Sequence, residues 1–425
     1  MKILFKNAET IDRGVCSVAV ENEKIVRISE KPIEEKGFDR VLDLKGKLLI
    51  PGFYNTHCHA AMTLFRGYGE DMPLHKWLDD RILPAEEHLT DRSVYWASMT
   101  AIAEMLRNGI VSFSDMYFFC RQTALAAAET GIKANLSRSI VSFDEKENPR
   151  ETYRFLEAVS LAEEWHNAEN GRILVDMAPH AEYSNTAPTC RAIADFAREK
   201  GLGVQVHVSE TKSEHEEGIA RRGMTPLAFF DSVGLLDNRT TAAHCVWVSE
   251  EDMELMVKKN VTVSHNPVSN LKLASGIAPV TKMLEKGVRV AIGTDGVASN
   301  NSLDLMRDMN LASLLSKGTT NRADAIPARE IFRMATENGA LAQGRQNCGL
   351  LEVGYDADLV VVDLDRIHNI PSYDPLYTLL FSANSSDVVL TMVGGRILYE
   401  NGEYPSLDIE KVKYEMRDVV SHYFD

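Results

Sequence analysis

The middle of the chain alternates between short apolar runs and amphipathic stretches. Eight runs have the length and composition of buried strands, and they are Leu48–His57, Ile110–Met116, Ile132–Val141, Arg172–Pro179, Gly203–Val208, Thr240–Cys245, Val261–Asn266 and Val288–Asp295. The stretches that end at a glycine just past the last turn are typical of helices, and they are Thr90–Asn108, Arg121–Thr130, Pro188–Lys200 and Ile277–Lys286. Strands that alternate with helices predict a parallel sheet, and eight such units predict closure into a (β/α)8 TIM-like barrel.

Both ends of the chain show a different pattern, with short strand-like runs joined by polar turns. The runs are Ile3–Ile11, Ser17–Ser29, Arg40–Leu48, Asp358–Asp363, Val388–Val393 and Arg396–Tyr399. The last two flank Gly394-Gly395, which is a strong hairpin signal. We therefore predict an α/β protein in which residues 51–349 form the barrel, and residues 1–50 and 350–425 together build a small β-sandwich domain.

Polar side chains stand at the ends of four of the predicted strands. They are His57 and His59 on the first, His207 on the fifth, His244 on the sixth and Asp295 on the eighth. Alternate residues of a strand share a face, and a barrel gathers its functional groups at the carboxyl ends of its strands. Histidines and a carboxylate suit Zn²⁺ or Fe²⁺ with a position left open for water. A lone histidine here is more often structural, and Asp295 alone is also typical of a helix N-cap. Together, however, these residues predict a metal site.

One missing residue type and two further residues near these strand ends bear on the chemistry. Barrel hydrolases with two metals usually need an extra ligand such as a modified lysine, and Ile173–Tyr183 contains no lysine, so we predict a single ion. Glu210 follows His207 by three residues, where a carboxylate can reach a substrate proton, although acids are also common at the start of a helix. His265 ends the seventh strand and is expected to support the site or shape a loop, because the ligand set is already full.

Composition narrows the class of protein. The chain has 425 residues, of which 44% are apolar and 25% charged, as in ordinary globular proteins. Its net charge of −16 argues against nucleic acid or an anionic membrane as the main partner. We find neither a secretory signal nor a membrane-spanning run. The six scattered cysteines predict reduced thiols in a cytoplasmic protein, and Cys58 and Cys245 should point away from the metal.

The segment Pro51–Gly67 resembles the amidohydrolase superfamily and, more narrowly, the deaminases of S-adenosylhomocysteine and 5′-methylthioadenosine. The resemblance continues over nearly the whole chain, through Ala242–Val246, Ser264–Leu273, Gly293–Asn301, Ala357–Val361 and Asn401–Pro405. The HxH and GTDG patterns mark the superfamily, while Ser269-Asn270-Leu271 and Asn301-Ser302-Leu303 are narrower. Three departures stand out, namely Cys58 in place of a more frequent threonine, Ser209 in place of an aromatic residue, and the segment Ala181–Asn185.

The resemblance implies a (β/α)8 barrel that holds one divalent metal ion, with Zn²⁺ the first choice and Fe²⁺ the second. The implied metal ligands are His57, His59, His207 and Asp295. The implied catalytic residues are Glu210, His244 and Asp295, and Glu210 also contacts the substrate ring. His244, which the spacing alone leaves as a ligand candidate, thereby takes the role of orienting the attacking water.

The resemblance also implies the residues that bind substrate. Trp77 would face the purine, and Glu86 would accept hydrogen bonds from the ribose 2′- and 3′-hydroxyls. Arg138, Arg150 and His180 would line the ribose and the 5′-substituent. These roles are physically sound, because an indole stacks on a flat ring, a carboxylate accepts from a vicinal diol, and a guanidinium pairs with an amino-acid carboxylate.

The predicted reaction is hydrolysis of the 6-amino group of an adenosine derivative to the inosine analogue and ammonia. The predicted partner is a small nucleoside, namely S-adenosylhomocysteine, 5′-methylthioadenosine, 5′-deoxyadenosine or adenosine, and the resemblance is compatible with a homo-oligomer. A deaminase of guanine or a triazine is the first alternative, which Glu86 disfavours because a free base has no diol. A scaffold that has lost its metal ligands is the second, which the intact ligand set disfavours.

Overall fold

The computed structural model describes residues 1–424, which contain two parallel sheets and one mixed sheet. In chain order the strands are β1 (Lys2–Thr10), β2 (Gly14–Glu21), β3 (Lys24–Ser29), β4 (Arg40–Asp43), β5 (Lys47–Pro51), β6 (Phe53–Cys58), β7 (Ile110–Tyr117), β8 (Lys133–Ile140), β9 (Ile173–Val175), β10 (Ala178–Pro179), β11 (Val204–Val208), β12 (Thr240–His244), β13 (Thr262–His265), β14 (Arg289–Ile292), β15 (Leu359–Asp363), β16 (Val388–Val393) and β17 (Arg396–Glu400).

Most of the helices lie between the strands of the parallel sheets. They are α1 (Leu74–Trp77), α2 (Leu83–Glu86), α3 (Asp91–Arg107), α4 (Cys120–Thr130), α5 (Tyr153–Trp165), α6 (Ala168–Gly171), α7 (Ala187–Lys200), α8 (Lys212–Arg222), α9 (Pro226–Ser232), α10 (Glu250–Lys259), α11 (Pro267–Lys272), α12 (Val280–Glu285), α13 (Val297–Asn300), α14 (Leu305–Thr320), α15 (Ala328–Ala335), α16 (Glu337–Ala342), α17 (Pro375–Phe381) and α18 (Ile409–Ser421). A π-helical turn, Leu78–Ile82, joins α1 to α2. The predicted glycine stops are confirmed for α3, α4 and α7, since Gly109, Gly131 and Gly201 follow them with left-handed backbone.

The parallel sheets carry the polar strand ends. One has the order β10-β8-β7-β6 with β9 paired to β8, and the other has the order β11-β12-β13-β14. Hydrogen bonds run from His207 N to His180 O (3.0 Å) and from Asp295 N to His57 O (2.9 Å), so both edges of one sheet contact the other. An α/β protein with parallel sheets is therefore confirmed, and the strands are buried on both faces, as such sheets require.

Two predicted strands are divided in the structure. The run Leu48–His57 forms β5 and β6, because Lys47–Pro51 pairs antiparallel with β15 whereas the chain from Phe53 onward pairs in parallel with β7. The run Arg172–Pro179 likewise forms two short strands, β9 and β10. Asp295 lies three residues beyond the end of β14, on the turn that follows it. Apolar composition alone does not reveal where a chain leaves one sheet for another.

The mixed sheet draws its strands from both ends of the chain. Its order is β17-β16-β15-β5-β1-β2-β3, with β4 paired to β1. Some of its apolar side chains, such as Leu49 and Val361, form a separate core, whereas others, such as Ile50 and Val360, belong to the main core. The predicted turn at Gly394-Gly395 joins β16 to β17, and both glycines have positive φ. The last helix, α18, packs on α3 rather than on this sheet. Within residues 1–424 no helix is both long and apolar enough to cross a membrane, and each of the six cysteines is buried without a disulfide.

A buried ion cluster connects the parallel sheets to the mixed sheet. The Lys133 ammonium on β8 lies 2.7 Å from Asp356 and 2.6 Å from Asp358, and the Tyr54 hydroxyl also donates to Asp358 at 2.6 Å. Burial lowers the pKa of Lys133, but the neighbouring acids outweigh it and raise the pKa above its usual value. The ammonium therefore compensates the buried Asp358 and shares the partly exposed Asp356 with Lys24, which lies 2.6 Å from it.

Replacing Lys133 with methionine is expected to lower the free energy of unfolding by about 3–5 kcal/mol, because the buried Asp358 loses its counterion, whereas Asp356 keeps Lys24. Chemical denaturation measures the loss. Lys282→Met is the matched control, since that lysine forms an exposed ion pair with Glu250 and should cost at most about 1 kcal/mol. Equal losses in the two variants would contradict a structural role for the buried cluster.

Candidate active site

The end of β6 and the turn after β14 fit closely against each other. His57 and His59 lie on β6 and just past it, and the Gly293-Thr294-Asp295-Gly296 turn crosses in front of them. A β-carbon on Gly293 would lie 2.9 Å from the His57 backbone nitrogen, and one on Gly296 would lie 3.3 Å from the His59 β-carbon. The two glycines of the turn therefore let Asp295 approach both histidines.

Three histidines of the site have one ring nitrogen committed to a hydrogen bond with an oxygen acceptor. The pairs, each through Nδ1, are His59 with Met116 O (2.5 Å), His207 with His180 O (2.7 Å) and His244 with Asn270 Oδ1 (2.8 Å). A donor at Nδ1 leaves the lone pair on Nε2. This arrangement is the usual one for histidines that bind a metal through Nε2.

The free atoms of these side chains converge on one region. Ligand atoms of His57, His207 and His244 lie within 4.8 Å of one another, and so do those of His57, His59 and Asp295. His57 Nε2 is buried without a hydrogen-bond partner, and it lies 3.4 Å from Asp295 Oδ1. Ligand atoms around one zinc ion lie roughly 3 to 3.5 Å apart. The unpaired His57 nitrogen and the ligand atoms around it therefore fit a single divalent cation.

The two carboxylate oxygens of Asp295 have different neighbours. Its Oδ2 accepts hydrogen bonds from Ser269 Oγ (2.5 Å) and Ser299 Oγ (2.8 Å). Its Oδ1 faces the histidines, 3.2 Å from His59 Nε2. Burial raises the pKa of Asp295, but the nearby imidazoles of His57 and His59 outweigh it and hold the pKa well below its usual value. The carboxylate is therefore charged at neutral pH, as a metal ligand must be.

Burial keeps most of the imidazoles neutral. It lowers the pKa of His57 to about 4 and that of His207 well below its usual value. For His59 burial acts in the same direction, but Asp295 outweighs it and raises the pKa to about 9. A bound cation would take the place of the proton that His59 shares with Asp295.

The backbone at three strand ends adopts the left-handed conformation with residues other than glycine. Ser209, His244 and Asp295 have φ values of 48°, 71° and 62°. Such residues cost of order 1–3 kcal/mol each and concentrate at functional sites. Here the conformation turns the chain at the ends of β11 and β12 and in the turn after β14, and it leaves His244 and Asp295 facing the region of convergence.

Glu210 lies beside His244 just beyond β11. Its Oε2 is 3.7 Å from His244 Nε2, and its Oε1 accepts a hydrogen bond from Ser275 Oγ at 3.0 Å. The buried Glu214 accepts the Glu210 backbone N–H at 2.7 Å and so fixes this turn. Burial raises the pKa of the Glu210 carboxyl above its usual value. A carboxyl group in this state can donate a proton at a pH where an exposed glutamate is ionised.

One end of a cavity of 510 Å³, which we call its floor, is lined by His59, His207, Glu210, His244 and Asp295, and His57 lies directly behind this lining. Trp77, Glu86, Tyr117 and His180 line the same cavity. Trp77 Nε1 and the Tyr117 hydroxyl are buried donors without a hydrogen-bond partner. Burial raises the pKa of Glu86 to about 7, which the neighbouring Tyr117 hydroxyl partly offsets. The cavity therefore offers unpaired donors, and Glu86 as an acceptor, to a ligand.

The two predicted arginines lie outside the lining of this cavity. Arg138 is buried, and its Nε donates to Glu157 at 2.8 Å while its guanidinium lies 5.0 Å from the Phe118 ring centroid. Arg150 is exposed and pairs with Glu199 at 3.1 Å. Phe118 itself lines the cavity, so Arg138 is one layer behind the surface that a ligand would contact.

Several residues of the site carried no predicted role. Tyr117 is the last residue of β7. Functional groups of a barrel gather at the carboxyl ends of its strands, so its position in the sequence was the signal that could have identified it. Ser269 and Asn270 belong to a motif noted in the sequence, but their contacts with Asp295 and His244 come only from the fold.

Cys58, Cys245 and His265 lie outside the cavity lining, and burial lowers the pKa of His265 to about 3.

Comparison with known proteins matches residues 48–398 to the amidohydrolase family. The 5-methylthioadenosine/S-adenosylhomocysteine deaminase of Dictyoglomus thermophilum is 47% identical over 385 residues, which cover 90% of this chain and 89% of that protein. The 5′-deoxyadenosine deaminase of Methanosarcina mazei is 43% identical over 410 residues, which cover 96% and 92%. A zinc-bound adenosine deaminase from Xanthomonas campestris superposes with a TM-score of 0.93 at 30% identity, over 99% of this chain and 98% of that one. The chain therefore belongs to the amidohydrolase family.

Proposed function

We propose that this protein is a metal-dependent hydrolytic deaminase that converts the 6-amino group of an adenosine derivative to the inosine analogue and ammonia. The observation that carries the proposal is that one cavity combines residues suited to metal binding and proton transfer with residues suited to binding a nucleoside. Its floor holds the converging histidines, Asp295 and Glu210, and its wall holds Trp77 and Glu86. Relatives that act, by name, on methylthioadenosine, S-adenosylhomocysteine and 5′-deoxyadenosine support the same reaction.

One divalent ion, with Zn²⁺ first and Fe²⁺ second, is proposed to be held by His57, His59, His207 and Asp295. When bound, such an ion acidifies a water molecule and supplies a nucleophile near neutral pH. His244 is left out of the ligand set because its Nε2 lies only 3.7 Å from Glu210, where it can contact both the attacking water and the acid.

Three side chains of the floor move or hold protons in the proposed reaction. Asp295 accepts a proton from the attacking water through Oδ1, since its other oxygen is occupied by two serines. His244 orients that water through Nε2. Glu210 enters protonated and gives its proton to ring N1, which makes C6 electrophilic. Water adds at C6, and the proton held by Asp295 passes to the amino group, so that the C6–N bond breaks and ammonia leaves. The remaining proton of the C6 hydroxyl passes to the Glu210 carboxylate, which leaves the C6 carbonyl of the inosine analogue and restores the protonated acid.

The wall of the cavity is proposed to recognise the nucleoside. Trp77 contacts the purine, Glu86 accepts hydrogen bonds from the ribose hydroxyls, and His180 lies near the sugar. Arg150 is proposed to bind an acidic 5′-substituent, whereas Arg138 supports this end of the cavity from behind Phe118. For Arg150 this requires leaving Glu199, and an exposed ion pair of this kind is worth about 0–1 kcal/mol, so the cost of the movement is small.

Ammonia release from a panel of nucleosides tests the proposal. We expect turnover of adenosine derivatives with varied 5′-groups and little turnover of guanine or a triazine. Within the panel, Arg150→Met should lose more activity with S-adenosylhomocysteine than with 5′-methylthioadenosine, because only the former carries a carboxylate.

The matched control is Arg154→Met, a partly exposed arginine whose guanidinium lies over the ring of Tyr153, and it should leave the ratio of the two activities unchanged. Turnover of free adenine derivatives with indifference to ribose would instead favour a deaminase of another aminated heterocycle. Absence of turnover together with absence of bound metal would favour a scaffold.

We also infer the closed architecture. Hydrogen bonds at both edges of the parallel sheets support closure into one (β/α)8 barrel over residues 51–349. The separate apolar core of the mixed sheet supports a small β-sandwich built from residues 1–50 and 350–425, with α18 lying against the barrel. A homo-oligomer and a cytoplasmic location stay predictions from the sequence.

A further inference from the structure

The short helix that carries Glu86 makes a hydrogen bond with the far end of the sequence. The Tyr423 hydroxyl donates to the Ala85 carbonyl oxygen at 2.9 Å, across 338 positions of the chain. Ala85 is the neighbour of Glu86 in α2 (Leu83–Glu86), which is the last turn of a helical run that continues from α1 through the π-helical turn. Helix ends fray, so the position of this last turn depends on what it contacts.

The ring of Tyr423 is built into the apolar cluster beneath the cavity wall. It packs edge-on against Phe65, with ring centroids 5.7 Å apart, and lies 6.3 Å from the His88 ring. The same cluster contains Trp77 and Tyr117, both of which line the cavity. Tyr423 therefore contacts the substrate wall from behind, on the side away from the ligand.

The segment that carries Tyr423 is itself anchored. Arg92 at the start of α3 donates to Glu415 at 2.6 Å and to Asp418 at 2.8 Å on α18. Val412 and Val419 of α18 are buried. Tyr423 follows two residues after this helix, so the hydroxyl projects from an element held against the barrel.

We propose that Tyr423 is a positioning residue that holds Glu86 at the ribose-binding wall. The inference rests on the proposed function, in which Glu86 accepts hydrogen bonds from the ribose 2′- and 3′-hydroxyls. Two acceptor oxygens must face a vicinal diol at hydrogen-bond distance, and a small displacement of α2 breaks that match. The Tyr423 hydroxyl fixes α2 at the residue before Glu86, while Tyr117 lies on the cavity side of the same carboxyl.

Tyr423→Phe removes the hydroxyl and keeps the ring. For the best ribonucleoside of the panel, we expect KM to rise about three- to tenfold with kcat within about twofold, as for the loss of one hydrogen bond that orders a binding group. For its 2′,3′-dideoxy counterpart, KM should not change, because that ligand does not use Glu86. In a Glu86→Gln background, Tyr423→Phe should add little to KM.

Tyr414→Phe is the matched control, since that tyrosine is exposed on α18 and contacts neither α2 nor the cavity. Hydrogen exchange gives a second readout that needs no activity, and the amides of residues 83–89 should lose protection in Tyr423→Phe at unchanged thermal stability. Equal KM changes for both ligands, or unchanged KM and unchanged exchange, would overturn the inference. A wild-type protein that releases no ammonia would instead overturn the proposed function, and the exchange experiment would still test the contact.

Discussion

Removing divalent metal with a chelator is expected to lower ammonia release by at least about a thousandfold, which corresponds to about 4 kcal/mol of activation free energy. The reason is that the side chains of the floor only orient the attacking water and move protons to or from the reactants. None of them supplies a nucleophile at neutral pH. Adding Zn²⁺ or Fe²⁺ to the stripped protein should restore turnover, and the better of the two identifies the preferred ion. Metal analysis and an ammonia assay on the same samples make the measurement.

His59→Asn should bind far less metal than the parent protein and stay inactive after Zn²⁺ is added. His368→Asn is the matched control, because that histidine lies at the mixed sheet, where it pairs with Asp387. It should retain about one equivalent of metal. Full-speed ammonia release from protein shown to be free of metal would rule out the proposed mechanism.

Glu210→Gln is expected to reduce kcat by about two to four decades, since glutamine keeps the shape and the hydrogen bond from Ser275 but cannot give a proton to ring N1. KM should change much less, because the binding residues of the wall are untouched. Steady-state kinetics with the best adenosine derivative of the panel gives both parameters. The metal content of the variant should match that of the parent protein.

Glu216→Gln provides the control for this substitution. It lies on α8 close to Glu210 in sequence, it is exposed, and it pairs with Lys212 on the surface. Its turnover should equal that of the parent within about twofold, as for other exposed positions. If Glu210→Gln also retained near-parental kcat, the acid would have to be another group, and the nearest buried alternative in the cavity is Glu214.

Much of the structure could be predicted from short-range patterns in the sequence. Strand alternation places His57 and His59 on one face, and glycine stops mark where helices end, so both features are legible from neighbouring residues alone. The predicted parallel strands and the convergence of the metal-binding candidates follow from these short-range rules together with the rule that barrel sites form at the carboxyl ends of strands. The errors lie at sheet changes, as at β5 and β6, because leaving one sheet for another depends on distant partners.

The sequence by itself therefore determined the fold class, the order of the strands and the identity of the groups that converge on the floor of the cavity. Only the tertiary structure decided that Arg138 and Arg150 lie outside the cavity lining, that two serines hold one oxygen of Asp295, and that Tyr423 reaches the helix of Glu86. The physical reason is the distance along the chain over which the interactions act. Backbone alternation and helix ends depend on a few adjacent residues, whereas these contacts depend on how elements far apart in the chain pack together.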